Sequence, residues 1–177
     1  MNKNGYTFTN KFKDNQDIVQ FLVYLNAFYD ELNLKNKSND ILNRMNNNEI
    51  HSIYVYDDDK LVGYLIYSLT DNVNSVQYHE SEMKKEYINI ESLYFDKIIR
   101  FKNYNFDGDN VSDNLKNIIM TVEYLAYKNG LDAVVIDLVN VSKLVKRFNE
   151  LGYNQFDNSN PSVLKKDINN EWYNCRK

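Results

Sequence analysis

The sequence predicts an α/β fold, of the α+β kind, in which about four helices flank a mixed, mostly antiparallel sheet of about six or seven strands. Two patterns support this prediction. Apolar residues recur at helical spacing in some segments. Between them, short runs rich in β-branched and aromatic residues are bounded by polar turns, as is typical of strands. The 177 residues suffice for one core and are few for two, so we expect a single domain over residues 1–177.

The composition is that of a globular chain with a modest negative charge. Hydrophobic residues make up 43% and charged residues 26%, which excludes a largely disordered chain. The net charge of -4 argues against a nucleic-acid partner, which normally requires a basic face. No apolar stretch reaches the roughly 18 residues of a membrane span, and the N-terminus has no signal-peptide core. Cys175 is the only cysteine and forms no internal disulfide, which indicates a reducing compartment. Together these features predict a cytoplasmic protein without a membrane partner.

The first half of the chain is predicted to form a strand, two helices and a two-stranded hairpin. The strands show alternating or continuous apolar residues, and the helices show apolar residues three and four positions apart. The predicted elements are a strand at residues 6–12, a helix from Ile18 to about Leu34, a short helix capped by Ser38 or Asn39, and strands at residues 50–56 and 61–69.

The hairpin contains two features that need a separate interpretation. Asp57, Asp58 and Asp59 stand with Lys60 between its strands, and three carboxylates raise the alternative of a metal site. Metal-binding loops place carboxylates at alternate positions that converge on one ion, whereas adjacent residues of a tight turn point apart. We therefore expect a solvated turn and no metal. Gly63 lies inside the second strand, which predicts a bulge or a close backbone approach.

The second half of the chain is predicted to alternate strands and helices and to end in a hairpin. Gly130 and Gly152 each follow a helical pattern at the place where a left-handed residue ends a helix. The predicted elements are a strand at Tyr87–Phe95, a helix from about Leu115 to Lys128, a strand at residues 133–139, a helix at residues 141–151, and two strands on either side of a loop at residues 158–161.

Residues 130–153 combine a buried strand, Asn140, an amphipathic helix and the tripeptide Leu-Gly-Tyr. This segment resembles the C-terminal half of the GCN5-related N-acetyltransferases, which have a hydrophobic strand, an Asn, a short helix and Leu-Gly-Phe or Leu-Gly-Tyr there. The segment around Gly63 and residues 162–168 also fit the family pattern. The resemblance implies the family's fold and an acetyl-CoA-dependent N-acetyltransferase whose acceptor is an amine of an unknown small molecule or protein.

The resemblance also implies the residues of the site. In the family, the fourth strand splays from the fifth, and the pantetheine arm of acetyl-CoA binds the backbone of the fourth strand like an added strand. A carboxylate on that strand often serves as general base, which makes Glu91 the catalytic candidate; an exposed strand glutamate is the alternative. The cofactor-binding candidates are Phe95, Lys97, Arg100, Lys102, Gly108, Asn110, Ser112 and Asn140.

Two places depart from the family pattern. The family's pyrophosphate loop carries glycines at a helix N-terminus, where backbone N–H groups approach the diphosphate. Here residues 100–105 keep the basic residues without a glycine, and residues 107–112 keep Gly108 beside two acids. Phe148 stands where many members have a Tyr that reprotonates the leaving thiolate. These departures leave open the alternative of a catalytically silent protein with this fold that binds a protein partner.

Overall fold

The protein was analysed as a computed structural model that describes residues 6–31, 37–70, 87–96, 114–138, 142–157 and 160–168. Within these residues the strands are β1 (Tyr6–Thr9), β2 (His51–Asp57), β3 (Lys60–Thr70), β4 (Tyr87–Phe95), β5 (Ala133–Asp137), β6 (Asn154–Asp157) and β7 (Asn160–Asp167). The helices are α1 (Asp17–Glu31), α2 (Lys37–Asn46), α3 (Asn114–Lys128) and α4 (Ser142–Glu150).

The strands of the described residues form a seven-stranded sheet in the order β1-β2-β3-β4-β5-β7-β6. β4 and β5 pair in parallel, whereas β1 with β2, β2 with β3, β5 with β7, and β6 with β7 pair antiparallel. The predicted mixed sheet with four helices is thereby confirmed. By its contacts the chain divides into two compact units, Met1–Tyr67 with Ser92–Ile118 and Ser68–Glu91 with Ile119–Lys177.

The first unit has a core rich in aromatic side chains. Phe21 of α1 packs edge to face against Tyr54 of β2 and Tyr64 of β3, with ring centroids 5.6 and 5.1 Å apart. α1 forms because its apolar residues recur at helical spacing and bury one face. The buried members of this core are Phe21, Tyr24, Leu25, Tyr29, Ile41, Ile50, Tyr54, Tyr56, Leu61, Tyr64, Ile66 and Tyr94.

The hairpin of β2 and β3 turns through two exposed residues, Asp58 and Asp59. Asp57 and Lys60, which we expected in the turn, pair with each other as the last residues of the strands. Asp58 adopts a left-handed backbone with φ 52°, which aspartate tolerates better than most residues. The register shifts by one residue next to Gly63, so the predicted bulge is confirmed.

β5 is a central strand of the second unit, as predicted. Its residues 133–136 are buried, and the strand pairs with β4 on one side and β7 on the other. On one face of this part of the sheet, Tyr87 of β4 and Val163 of β7 join the buried side chains of β5. Phe156 of β6 extends the cluster, with its ring edge to face with Tyr87 at 5.9 Å.

The two glycines predicted to end helices do so. Gly130 after α3 has φ 69° and Gly152 after α4 has φ 95°, both in the left-handed region. The residue after each glycine, Leu131 or Tyr153, is buried and donates its backbone N–H to the carbonyl five residues earlier, at 2.9 Å in both cases. This is the Schellman motif, in which glycine avoids the strain that a side chain would cause.

Two element boundaries in the first unit differ from the prediction. β1 ends at Thr9 rather than at residue 12, because the chain leaves the strand in a turn in which the Thr9 hydroxyl accepts a backbone N–H. α2 already contains Lys37, so Ser38 and Asn39 lie in its first turn and the predicted cap is wrong. The predicted end of the first helix, at residues 32–34, lies outside the described residues.

The strand and helix around residue 140 are shorter than expected. β5 ends at the exposed Asp137, whereas the apolar run predicts a strand to residue 139. Helix α4 begins at Ser142. Residues 139–141, which include Asn140, lie outside the described residues.

Candidate active site

The parallel pairing of β4 with β5 covers only the first part of β4. The pairs end at Ile90 with Ile136, although β4 itself continues to Phe95. β5 remains with β7 beyond this point, since Asp137 pairs with Val163. Within the described residues, β5 therefore stays paired with β7 for one residue beyond its last pair with β4. Glu91, the predicted general base, is the next residue of β4.

Two carboxylates stand at the end of this pairing. One further pair in the same register would place Glu91 and Asp137 side by side on the same face of the sheet. At the roughly 5 Å spacing of neighbouring strands, two like charges at a partly solvated position repel by about 1–3 kcal/mol. This is at least as large as the roughly 1 kcal/mol that one more backbone hydrogen bond would contribute. The two carboxylates therefore disfavour one more pair in this register.

Asp137 is absent from the residues predicted for the site. Its Oδ1 accepts a hydrogen bond from Ser162 Oγ of β7 at 2.9 Å, which holds the carboxylate at the end of β5. The signal in the sequence is an acid that interrupts an otherwise apolar strand. Its relation to Glu91 depends on the strand register, which the sequence pattern does not contain.

In the first unit, the C-terminal end of β4 lies against the bulge of β3. A Cβ added to Gly63 would lie 2.7 Å from both the Tyr94 carbonyl oxygen and the Phe95 ring, so only glycine fits there. The backbone N–H of Asp96 donates to the Val62 carbonyl at 2.7 Å. The Phe95 side chain is buried, and the role predicted for this residue concerns its backbone.

Tyr24 of α1 reaches the same end of β4. Its hydroxyl lies 3.1 Å from the Leu61 carbonyl oxygen and 3.3 Å from Asp96 Oδ2, and its ring packs against Tyr94. Burial, followed by the neighbouring Asp96 carboxylate, raises the pKa of Tyr24 well above its ordinary value. The hydroxyl therefore remains a hydrogen-bond donor. Tyr24 and Asp96 are 72 residues apart in the chain, and no local pattern predicts their contact.

Comparison of sequences finds no relative: no protein-family model and no curated protein matches this chain. Solved structures do resemble it. An acetyltransferase of the GNAT family from Staphylococcus aureus Mu50 has a TM-score of 0.59 and 8% identity over 93% of this chain and 99% of that one. The chain has the fold of the GCN5-related N-acetyltransferases.

Two further structures share this acetyltransferase fold. Arabidopsis thaliana NAA60, in complex with a bisubstrate analogue, has a TM-score of 0.62 and 13% identity over 93% of this chain and 98% of that one. A mutant of the AtaT toxin, bound to the C-terminus of the antitoxin AtaR and acetyl-CoA, has a TM-score of 0.56 and 11% identity over 98% and 99%. The fold expected from the resemblance is thereby confirmed.

Phe148, a departure from the pattern of the resembled family, lies in α4. Its side chain is completely buried on the inner face of α4, and its ring packs edge to face against Tyr153 at 5.3 Å. The residue therefore contributes to packing and has no proton to transfer. The absence of a side-chain proton donor at residue 148 is already evident from the sequence.

Most of the residues that we predict to contact the cofactor lie outside the described residues. These are Lys97, Arg100, Lys102, Gly108, Asn110, Ser112 and Asn140. The structure describes the other two predicted site residues, Glu91 where the β4–β5 pairing stops and Phe95 at the C-terminal end of β4.

The described part of the chain contains no candidate metal centre and no helix that could span a membrane. No three or more His, Cys, Asp and Glu side chains there are grouped in a way that could hold a metal ion. None of the helices described combines the length and the apolar character that a membrane crossing requires.

Proposed function

We propose that this chain is an acetyl-CoA-dependent N-acetyltransferase that transfers an acetyl group to an amine of a small molecule or a protein. The observation that carries the proposal is the end of the β4–β5 pairing at Ile90 and Ile136, immediately before Glu91. A strand whose pairing stops in this way can present backbone N–H and C=O groups to an extended ligand, such as the pantetheine arm. The fold supports the same function, and we propose that residues 1–177 form one domain of this kind.

Glu91 is the proposed general base. An amine attacks the thioester carbon only in its neutral form, so a carboxylate takes up its proton, directly or through water. Attack turns the carbonyl oxygen into an oxyanion, which backbone N–H groups near Phe95 are proposed to stabilise. Collapse then forms the amide, breaks the C–S bond and releases coenzyme A as a thiolate.

Phe148 does not exclude this reaction. A thiol has an ordinary pKa of about 8.5, so its thiolate is a far better leaving group than an alkoxide and needs less help from a general acid. The released thiolate can take its proton from water. The loss of a tyrosine at this position therefore lowers the rate without removing the chemistry.

The diphosphate of acetyl-CoA is proposed to bind the segment between β4 and α3. Basic side chains supply positive charge, and backbone N–H groups near the start of α3 supply donors, as at other helix N-termini. The basic residues are Lys97, Arg100 and Lys102, and the backbone donors belong to Gly108, Asn110 and Ser112. Asn140, after β5, is the proposed contact for the pantetheine arm.

A catalytically silent binding protein is the second candidate. The buried Phe148 favours it, and so do Asp107 and Asp109, whose charges oppose a diphosphate. For such a protein we propose a protein partner, by analogy with the AtaT toxin solved with the C-terminus of its antitoxin. A cytoplasmic location is proposed for either candidate, supported by the single cysteine of the sequence.

A thiol-release assay with acetyl-CoA and a panel of small amines and peptides tests the proposed function. We expect release with at least one acceptor, and Glu91→Gln should lower kcat about 100-fold or more, the usual contribution of a general base. Glu150→Gln is the matched control, because it removes an exposed carboxylate of α4 that pairs with Arg147. Equal rates for the wild type and Glu91→Gln would exclude Glu91 as the base. No release with any acceptor would favour the silent protein.

A further inference from the structure

The hydroxyl of Tyr24 is not needed to fill the core of the first unit. Phenylalanine would place the same ring against Tyr94, with centroids 5.2 Å apart, and would bury no polar group. A buried hydroxyl is unfavourable unless it is hydrogen-bonded. Here its one proton faces two acceptors, the Leu61 carbonyl oxygen and Asp96 Oδ2. Gln20 makes a further side-chain hydrogen bond to this hydroxyl, whose role therefore lies in its polar contacts.

Asp96 is the residue that these contacts orient. It directly follows Phe95, and its own backbone N–H donates to the Val62 carbonyl at 2.7 Å. Hydrogen bonds to both its backbone and its side chain hold Asp96 beside β3. Because Leu61 and Val62 belong to the bulge of β3, Tyr24 holds the end of β4 against this strand of the same unit.

We propose that Tyr24 is a positioning residue for the acetyl-transfer site, which it serves by fixing Asp96 and, with it, the backbone of β4 at Phe95. The inference rests on the proposed function, in which backbone N–H groups near Phe95 bind the acetyl carbonyl. Such donors act only when they point at the oxygen they stabilise, and a small displacement weakens them strongly. Tyr24 acts through Asp96 and does not touch the reacting atoms.

Calorimetric titration of the chain of residues 1–177 with acetyl-CoA and with coenzyme A tests this proposal. Tyr24→Phe should weaken acetyl-CoA binding roughly fivefold, the effect of one lost hydrogen bond, and leave coenzyme A binding unchanged, because coenzyme A has no acetyl carbonyl. Asp96→Ala should give the same selective loss. The double variant should lose no more than either single variant, because both remove one interaction. Asp96→Asn, which keeps an oxygen acceptor, should retain most of the affinity.

Tyr54→Phe is the matched control. Tyr54 belongs to the same aromatic core, but its hydroxyl accepts a hydrogen bond from Ser52 Oγ, at 2.9 Å, within β2. The control should lower stability and leave both affinities unchanged. Unchanged acetyl-CoA affinity in Tyr24→Phe, or an equal loss for coenzyme A or for Tyr54→Phe, would overturn the positioning role. A wild-type chain that binds neither ligand would overturn the proposed function and this inference with it.

Discussion

A buried ion pair joins β7 to α3 in the second unit. Lys166 Nζ lies 2.6 Å from Glu123 Oε1 and donates to the Leu151 carbonyl at 2.8 Å, and the side chains are 15% and 1% exposed. The cation also lies at the C-terminal end of α4, where the helix dipole favours positive charge. Lys166→Met should lower the free energy of unfolding by about 3–5 kcal/mol in urea denaturation, because it leaves the Glu123 carboxylate buried without its cation.

The neighbouring residue on β7 provides the control for this prediction. Lys165 Nζ lies 3.4 Å from Asp167, whose side chain is 58% exposed, and 4.8 Å from the centroid of the Phe156 ring, so Lys165→Met should cost about 1–2 kcal/mol at most. Adding Glu123→Leu to Lys166→Met should recover most of the loss, since the buried charge is then gone. A loss in Lys166→Met no larger than in Lys165→Met would contradict the importance of the buried pair.

Tyr56 of β2 should make the stability of the protein depend on pH in the alkaline range. Its hydroxyl donates to Asp17 Oδ2 at 2.7 Å and accepts the backbone N–H of Lys13 at 2.9 Å. Burial, together with the hydrogen bond to Asp17, raises the pKa of Tyr56 from 10.0 to about 12. The folded chain therefore holds this proton more tightly than the unfolded chain. The resulting stabilisation is complete below pH 10 and is lost as the pH rises toward about 12.

Urea denaturation across this pH range tests the assignment. The free energy of unfolding of the wild type should fall with rising pH, and that of Tyr56→Phe should fall less steeply, because phenylalanine has no proton to lose. Tyr24, Tyr54 and Tyr67 have pKa values raised in the same direction, so part of the slope should remain in the variant. Parallel curves for the two proteins would show that Tyr56 does not contribute.

At the scale of the elements, the contact between β3 and the end of β4 depends on Gly63. Gly63→Ala would bring a methyl group to 2.7 Å from the Tyr94 carbonyl oxygen, so the strands must shift. We expect the free energy of unfolding to fall by about 1–3 kcal/mol, as for other overpacked sites, and acetyl-CoA binding to weaken. Calorimetric titration and urea denaturation of the variant measure the two effects.

Gly130→Ala is the control for this prediction. A Cβ at Gly130 would meet no atom within 4 Å, but φ +69° makes a side chain strained there. The variant should lose about 1–2 kcal/mol of stability and keep its acetyl-CoA affinity. If both variants retain the affinity, the end of β4 is not part of the binding site.

The elements themselves could be predicted wherever local spacing decides them. The glycines that end α3 and α4, and the bulge at Gly63, follow from backbone rules that act within a few residues. The contact of Tyr24 with Asp96 depends on packing between distant segments, and the end of the β4–β5 pairing just before Glu91 and Asp137 depends on strand register. Glu91 was predictable through the family resemblance, because strand alternation alone does not separate a catalytic glutamate from an exposed one.

At the scale of the whole molecule, the strand order puts the parallel pair β4–β5 inside the sheet, after β1-β2-β3 and before β7-β6. Parallel pairing is slightly weaker per residue than antiparallel pairing. The pairs of β5 with β7 continue to Asp137, past the last pair of β5 with β4.

Calorimetric titration of the wild-type chain with acetyl-CoA tests the central claim most directly. We expect one molecule bound per chain, with a dissociation constant on the order of 1–100 μM, a range common for enzyme substrates. The measurement does not require the acceptor amine or peptide to be known, because it follows the binding of acetyl-CoA alone. The absence of any binding heat at millimolar acetyl-CoA, in a chain shown to be folded, would contradict the acetyltransferase assignment and favour the silent, partner-binding protein.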